Sequence, residues 1–242
     1  VQSSEDFYSG VRAEIDAQSC VGCGKCEEIC RFGAISHESG KFSVDKLDCE
    51  GCGYCQLICP AKAISLPEQK VGQCFISDTR FACRLIHAKL GIGADNSGKL
   101  VAKVKKEARQ EATRTGMDYI LVDGSPGIGC PVISSLSGAD FVLLVTEPTL
   151  SGLNDLNRVW QLTARFQIPA GCIINKADLN PQVTAQIKDF LTQQGIRHLD
   201  DLPYDEDFSQ AITLGKCLPE INPGKWKTRF ANLWQGITKE LK

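Results

Sequence analysis

Eight cysteines in the first quarter of the chain stand where they could do chemistry together. Cys20, Cys23, Cys26 and Cys30 form C-x-x-C-x-x-C-x-x-x-C, and Cys49, Cys52, Cys55 and Cys59 repeat that spacing, followed by Pro60. Three thiolates on one tight loop can reach three corners of an iron–sulfur cube, and a fourth at the start of the next helix can ligate a second cube. Gly22, Gly24, Gly51 and Gly53 suit a loop that curls closely around inorganic sulfide. Zinc and disulfides are the competing uses of cysteine. Zinc sites usually show paired C-x-x-C units without a third and fourth cysteine at these offsets, and a disulfide framework suits a small secreted chain. The spacing favours iron and sulfide.

The stretch resembles the bacterial two-cluster ferredoxins over residues 11–67. That resemblance implies one [4Fe–4S] cluster held by Cys20, Cys23, Cys26 and Cys59, and another held by Cys49, Cys52, Cys55 and Cys30. Phe32-Gly33-Ala34-Ile35 and Ala61-Lys62-Ala63-Ile64 recur after the two cysteine runs, each a short strand after its helix, which argues for an internally duplicated module.

Composition agrees with an intracellular redox protein. A chain of 242 residues with 43% hydrophobic content can bury a sizeable core. The formal net charge of −2 gives no support for a nucleic-acid partner or for general attraction to anionic lipid. Thirteen cysteines would suggest secretion in a short chain, but eight have the cluster spacing. No apolar signal segment opens the sequence and no apolar run approaches the length of a bilayer span, so a cytoplasmic location is expected.

These sites need elements to position them. The polar start, through Ser9-Gly10, predicts no strand before the cysteine module. After Pro67, Gly72 to Ser77 and Phe81 to Ile86 read as two strands flanking Thr79-Arg80, and Leu100, Val101, Val104, Ala108 and Ala112 fall at helical spacing up to Gly116. Lys103, Lys105, Lys106 and Arg109 make a solvated helix face. From Asp118 onward strand and helix alternate. Tyr119 to Val122, Phe141 to Val145 and Ile168 to Ile174 are short apolar runs of the kind buried in a parallel sheet, and Leu153-Leu156-Val159-Trp160 and Val183-Ile187-Phe190-Leu191 are the helical patterns between and after them. In an open α/β sheet the ligand lies beyond the carboxyl ends of the strands.

The loops at those ends carry polar groups. Val122-Asp123-Gly124-Ser125-Pro126-Gly127-Ile128-Gly129-Cys130 puts a carboxylate where it can hold a Mg²⁺-bound water, and its glycines let backbone N–H groups approach a phosphate. Val145-Thr146-Glu147-Pro148, Ile174-Asn175-Lys176-Ala177-Asp178 and Leu202-Pro203-Tyr204-Asp205 follow. Taken in order, these loops resemble the MinD/Mrp-type P-loop ATPases, in the subgroup that carries an inserted ferredoxin module. The resemblance implies an open, mostly parallel P-loop NTPase sheet, with Asp123 in the Walker B and switch II region as the catalytic carboxylate. It implies Gly127 beside phosphate, Asn175 on adenine, Pro203 and Asp205 lining the base pocket, and ATP or ADP with Mg²⁺ as ligands. Asn175-Lys176-Ala177-Asp178 also fits the N-K-x-D that reads guanine in GTPases; the surrounding loops favour adenine.

On this reading residues 1–10 are a lead-in, 11–67 a small α+β ferredoxin-like two-cluster domain, and 68–242 a MinD/Mrp-like α/β nucleotide-binding domain without its first strand and P-loop. Gly93-Ala94-Asp95-Asn96-Ser97-Gly98-Lys99-Leu100 fits G-x-x-x-x-G-K but ends in leucine, without the hydroxyl that ligates Mg²⁺. The expectation is therefore that a Walker A segment upstream of Val1 is absent from these residues.

Cys74, Cys83, Cys130, Cys172 and Cys217 are scattered singly and read as small hydrophobes, with Cys130 notable for its place in the switch-type loop. The histidines show no spacing that suggests a site. Trp226, Phe230, Leu233, Trp234, Ile237 and Leu241 share one helical face, expected to pack on the sheet rather than lie on a membrane. Two functions follow. One is an ATPase that couples nucleotide-driven change to electron transfer through two [4Fe–4S] clusters, as a homodimer serving a redox partner protein. The other is a ferredoxin-type carrier or iron–sulfur scaffold whose α/β part only dimerises or docks.

Overall fold

In the computed structural model, residues 1–91 and 98–241 are described; most of the Gly93 to Leu100 stretch lies outside them. The chain divides into two compact units, Val1–Ile120 and the residues from Leu121 onward.

The first unit is built on a hairpin with a module at its tip. Strand β1 (Ser3–Val11) leads to β2 (Glu14–Ile15), α1 (Lys25–Ile29), β3 (Ile35–Glu38), β4 (Lys41–Val44), α2 (Tyr54–Ile58) and β5 (Ile64–Ser65). The chain then returns along β6 (Glu68–Asp78), turns into β7 (Arg84–Leu90) and ends in α3 (Gly98–Thr115). β1 pairs antiparallel with β6, from Ser3 opposite Ile76 to Val11 opposite Glu68, and β6 pairs antiparallel with β7. This corrects the expectation of no strand before the module. β1 has the weak propensity of SSEDFYSGV, with Phe7 as its single buried residue, and pairing with β6 overrides that local preference.

α3 covers one face of this sheet, where Phe7, Cys74 and Leu100 are buried with Val71, Ala88, Leu90 and Val104. Glu111 ties the helix to β7 through Arg84 at 3.3 Å and pairs with Arg114 one turn along the same helix at 2.6 Å. The close approach of β6 to β7 requires Gly72, since a Cβ there would stand 2.6 Å from the Lys89 carbonyl oxygen. β7 begins later than Phe81 because the connection is a longer turn: the Thr79 hydroxyl donates to the Cys83 carbonyl at 2.9 Å and Ala82 takes φ 55°.

The second unit contains α4 (Cys130–Leu136), β8 (Val142–Thr146), α5 (Leu150–Arg165), β9 (Ala170–Asn175), α6 (Pro181–Gln194) and β10 (Arg197–Leu202). α7 (Glu206–Leu214), α8 (Leu218–Ile221) and α9 (Pro223–Glu240) follow. The strands form a parallel sheet in the order β10-β9-β8. The central strand β9 is buried on both faces, as its apolar run requires. Cys172 and Ile174 join Leu144, Leu156, Val183, Ile187 and Leu191 in one core, while Ile173 joins Leu202 and the fully buried Trp226 in another. α9 thus packs on the sheet through Trp226, Phe230 and Leu233, while Trp234 and Leu241, expected on the same packed face, are exposed. The chain is an α/β protein with an open parallel sheet and a small α+β module.

Two strand readings need correction. Tyr119 to Val122 is not a strand; it is exposed, Leu121 at 88%. A strand exists by pairing its backbone N–H and C=O groups with a neighbour, and β8 is paired along β9 alone, so this stretch has no ladder to join among the described residues. β10 was legible only as the approach to Pro203, because its Arg197, His198, Asp200 and Asp201 carry no apolar run; β9 supplies its hydrogen bonds. Among the described residues no helix is long and apolar enough to cross a membrane.

Candidate metal centres and strand-end site

The two cysteine runs fold alike, each residue of the first having a counterpart in the second. The Cys20 amide donates to the Asp16 carbonyl at 3.0 Å, and the Cys49 amide to the Asp45 carbonyl at 3.1 Å. The Asp16 and Asp45 carboxylates accept the amides of Gln18 and Leu47, at 3.0 and 2.7 Å. Gly24 and Gly53 open α1 and α2 with φ of 75° and 78°, a left-handed conformation that glycine takes without steric cost. Gly51 is fixed by space as well, because a Cβ would meet the Val11 carbonyl oxygen at 2.0 Å.

These turns bring the cysteines together in crossed sets. One pocket is lined by Cys20, Cys23, Cys26 and Cys59, and the other by Cys49, Cys52, Cys55 and Cys30. Each pocket is closed inward by apolar side chains, including Phe42 and Ile64 in the first, and Ala13, Ile35 and Val44 in the second. Among the described residues no three such donors converge on a single metal ion, and none of the cysteines forms a disulfide. Thiols that stand around a cavity instead of meeting at a point fit a polyatomic cluster better than zinc.

The sulfur environment fits too. The Ala13 amide donates to Cys49 Sγ at 3.4 Å and the Ala63 amide to Cys59 Sγ at 3.3 Å, as befits sulfurs that carry charge. Burial pushes the Cys26 and Cys55 thiols up, with neighbouring cysteines adding to it. Two buried thiols that resist ionisation alone become good ligands when metal charge compensates the thiolate.

In the second unit the strand ends gather a different set. Glu147, after β8, takes an ion pair from Lys176 at 2.7 Å and a hydrogen bond from the Asn175 side-chain Nδ2 at 3.4 Å. Lys176 reaches this position from a left-handed backbone, φ 53°. Asp178 accepts the Tyr204 amide at 2.7 Å, linking the loop after β9 to the loop after β10, where Pro203 lies. Asp205 caps α7 by accepting the Asp207 amide at 2.9 Å and pairs with Lys225. Asp123 is exposed in the loop before α4, and Gly127 in the same loop has φ 89°. The structure therefore brings Asn175, Glu147 and Lys176 together and ties Asp178 to Tyr204, while Asp123 has no partner among the described residues. Sequence reasoning missed Glu147 as the partner of Asn175, although its place after an apolar strand was a usable signal.

Residues 13–66 match the 4Fe-4S dicluster domain family. The module carries [4Fe–4S] clusters. The chain is similar to the uncharacterized protein MJ0578 of Methanocaldococcus jannaschii, with 35% identity over 161 residues, covering 66% of this chain and 55% of that protein. MJ0579 of the same organism is 32% identical over 92 residues, covering 38% of this chain and 33% of that one. The chain thus spans about half the length of the first relative and a third of the second. Solved structures similar to it include the cell division ATPase MinD of Pyrococcus furiosus, with a TM-score of 0.47, 22% identity and coverage of 61% and 60% of the two chains. A ParA family ATPase from Chlorobium tepidum gives a TM-score of 0.49, 20% identity and 62% coverage of each chain. MinD of Pyrococcus horikoshii, complexed with Mg-ADP, gives a TM-score of 0.46, 21% identity and coverage of 60% and 58%.

Proposed function

We propose that this chain is the iron–sulfur part of a redox ATPase of the MinD/Mrp kind, in which nucleotide binding is coupled to electron transfer through the dicluster module. The observation that carries it is the pair of crossed cysteine sets on one folded module, together with a parallel sheet in the same chain whose three strands end in polar loops. When bound, the clusters supply one-electron storage. Cys20, Cys23, Cys26 and Cys59 would hold one, and Cys30, Cys49, Cys52 and Cys55 the other. The glycine turns keep side chains off the sulfide, and the Ala13 and Ala63 amides partly neutralise ligand charge.

In the second unit Asp123 would hold a Mg²⁺-bound water, the Gly127 turn would offer backbone N–H groups to phosphate, and Asn175, Pro203 and Asp205 would meet adenine. Asp178 spends one carboxylate oxygen on the Tyr204 amide, which favours adenine over a guanine reader. On this reading the anion cradle would come from a segment outside the described residues. Among the described residues β8 pairs along β9 alone, and its other edge would accept a further strand that bears the cradle. A homodimer, a redox partner protein and a cytoplasmic setting belong to the same reading, and neither nucleic acid nor a membrane does.

A second reading has its own support. Asn175, Asp178 and Asp205 already have partners within the protein, as they would in a ferredoxin-type carrier whose α/β unit only docks or dimerises. Equilibrium binding of ATP and Mg²⁺ separates the two. Binding by a chain extended upstream through a P-loop, lost on Asp123→Asn, supports the ATPase; no binding by that extended chain supports the carrier.

A further inference from the structure

We propose that Lys25 and Glu50 make the two metal centres inequivalent, so that the centre of Cys20, Cys23, Cys26 and Cys59 takes up the first electron. The proposal rests on the assignment of the cysteines to two clusters.

Internal duplication supplies the control. The reduction potential of such a centre is set by net charge, hydrogen bonds to its sulfurs and solvent exposure. The last two are matched. Cys23 and Cys52 are exposed, Cys26 and Cys55 buried, and the remaining ligands, Cys20, Cys30, Cys49 and Cys59, are all half-buried. One amide donates to a ligand sulfur in each set, at 3.3 and 3.4 Å.

Charge is not matched. Among the described residues, Lys25 is the single charged residue that lines the pocket of Cys20, Cys23, Cys26 and Cys59, and Glu50 is the single one that lines the other. Their counterparts in the opposite half are Tyr54 and Val21, so neither charge is balanced by the duplication. Glu27, Glu28, Arg31, Asp48 and Lys62 are exposed around the module and line neither pocket. Adding an electron makes a centre more negative. A lysine at the rim favours that change and a glutamate opposes it, and both act across a partly solvated distance where one unit charge is worth about tenfold in an equilibrium.

The test is an anaerobic potentiometric titration of the cluster-loaded full chain, followed by electron paramagnetic resonance, with dithionite giving up electrons through mediator dyes one at a time. Iron and sulfide assays on every variant come first; incomplete loading of the wild type would count against the two-cluster assignment itself, a separate failure. The wild type should show two one-electron steps. Lys25→Gln should make the first step about tenfold less favourable, about 59 mV, and leave the second in place. Glu50→Gln should make the second step about tenfold more favourable and leave the first. Lys25→Arg should titrate like the wild type, and the gap between steps should narrow in about 1 M salt, where exposed charges are screened. If Lys25→Gln fails to load, Lys25→Met and Glu50→Gln decide the matter. A single unresolved step in the wild type, a Lys25 variant that moves the second step, or charge variants that move neither would overturn the proposal.

Discussion

The guanidinium of Arg229 on α9 grips the carboxylate of Asp200 on β10 with two hydrogen bonds, 2.7 and 2.8 Å long. Arg229 also donates to the Asp201 carbonyl, so one side chain closes the edge strand of the sheet against the last helix. The bond to Arg229 holds the Asp200 carboxyl below its ordinary value, offset in part by burial. A depressed carboxylate contributes stability that is present above its unfolded pKa and is lost as pH falls through the folded value. Arg229→Met should therefore cost about 1.5–3 kcal/mol in urea unfolding at pH 7. The penalty of Asp200→Asn should shrink below about pH 4, and a pH-independent penalty would contradict the role given to the ion pair.

Trp226 is fully buried, stacks on Phe230 at 5.8 Å and donates its indole N–H to Asp207 at 2.8 Å. Trp226→Ala should destabilise the second unit by about 3–5 kcal/mol, the range for removing a large core aromatic. Iron content should stay at the wild-type level, since the cysteines belong to the other compact unit. Loss of iron with the tryptophan would argue against that independence.

Crossed ligation makes an unusual prediction for paired serine variants. Anaerobically prepared protein should hold about eight iron and eight sulfide per chain, the content of two cubes. Cys20→Ser with Cys59→Ser strikes one centre and should leave about four iron, whereas Cys20→Ser with Cys30→Ser strikes both. The reverse order, with about four iron kept by Cys20→Ser with Cys30→Ser and less by Cys20→Ser with Cys59→Ser, would refute the crossing.

The 242 residues alone should show negligible ATP hydrolysis, because a site without its anion cradle, lysine and Mg²⁺-binding hydroxyl loses most of its affinity for nucleotide. In a chain extended upstream by a strand, a G-K-[ST] loop and a helix, Asp123→Asn should weaken Mg²⁺-dependent turnover with iron content unchanged. Robust turnover by the present residues would send attention to Gly93 to Lys99.

What was legible in the sequence followed from strong local constraint. Cysteine spacing is dictated by the shape of an inorganic cube, and the apolar runs behind β8 and β9 by burial between two layers. β1 and β10 were hidden for the opposite reason: Ser3 to Val11 and Arg197 to Leu202 owe their extended form to a partner strand, which no local pattern records. The Tyr119 to Val122 run erred the other way, since it has the composition of a strand and no ladder to join among the described residues. Lys25 and Glu50 were in plain view and passed over, because their meaning appears only when each half of the module is laid against the other.

Val11 and Glu68 lie opposite one another where β1 meets β6, and the pairing continues into the module with Glu14 against Ser65. The dicluster module therefore leaves and re-enters its host at nearly the same point. A guest whose two ends touch adds little loop-closure entropy to the hairpin that carries it. Such a module can be cut out and replaced by a short turn, or moved to the tip of another hairpin, as one transferable cassette.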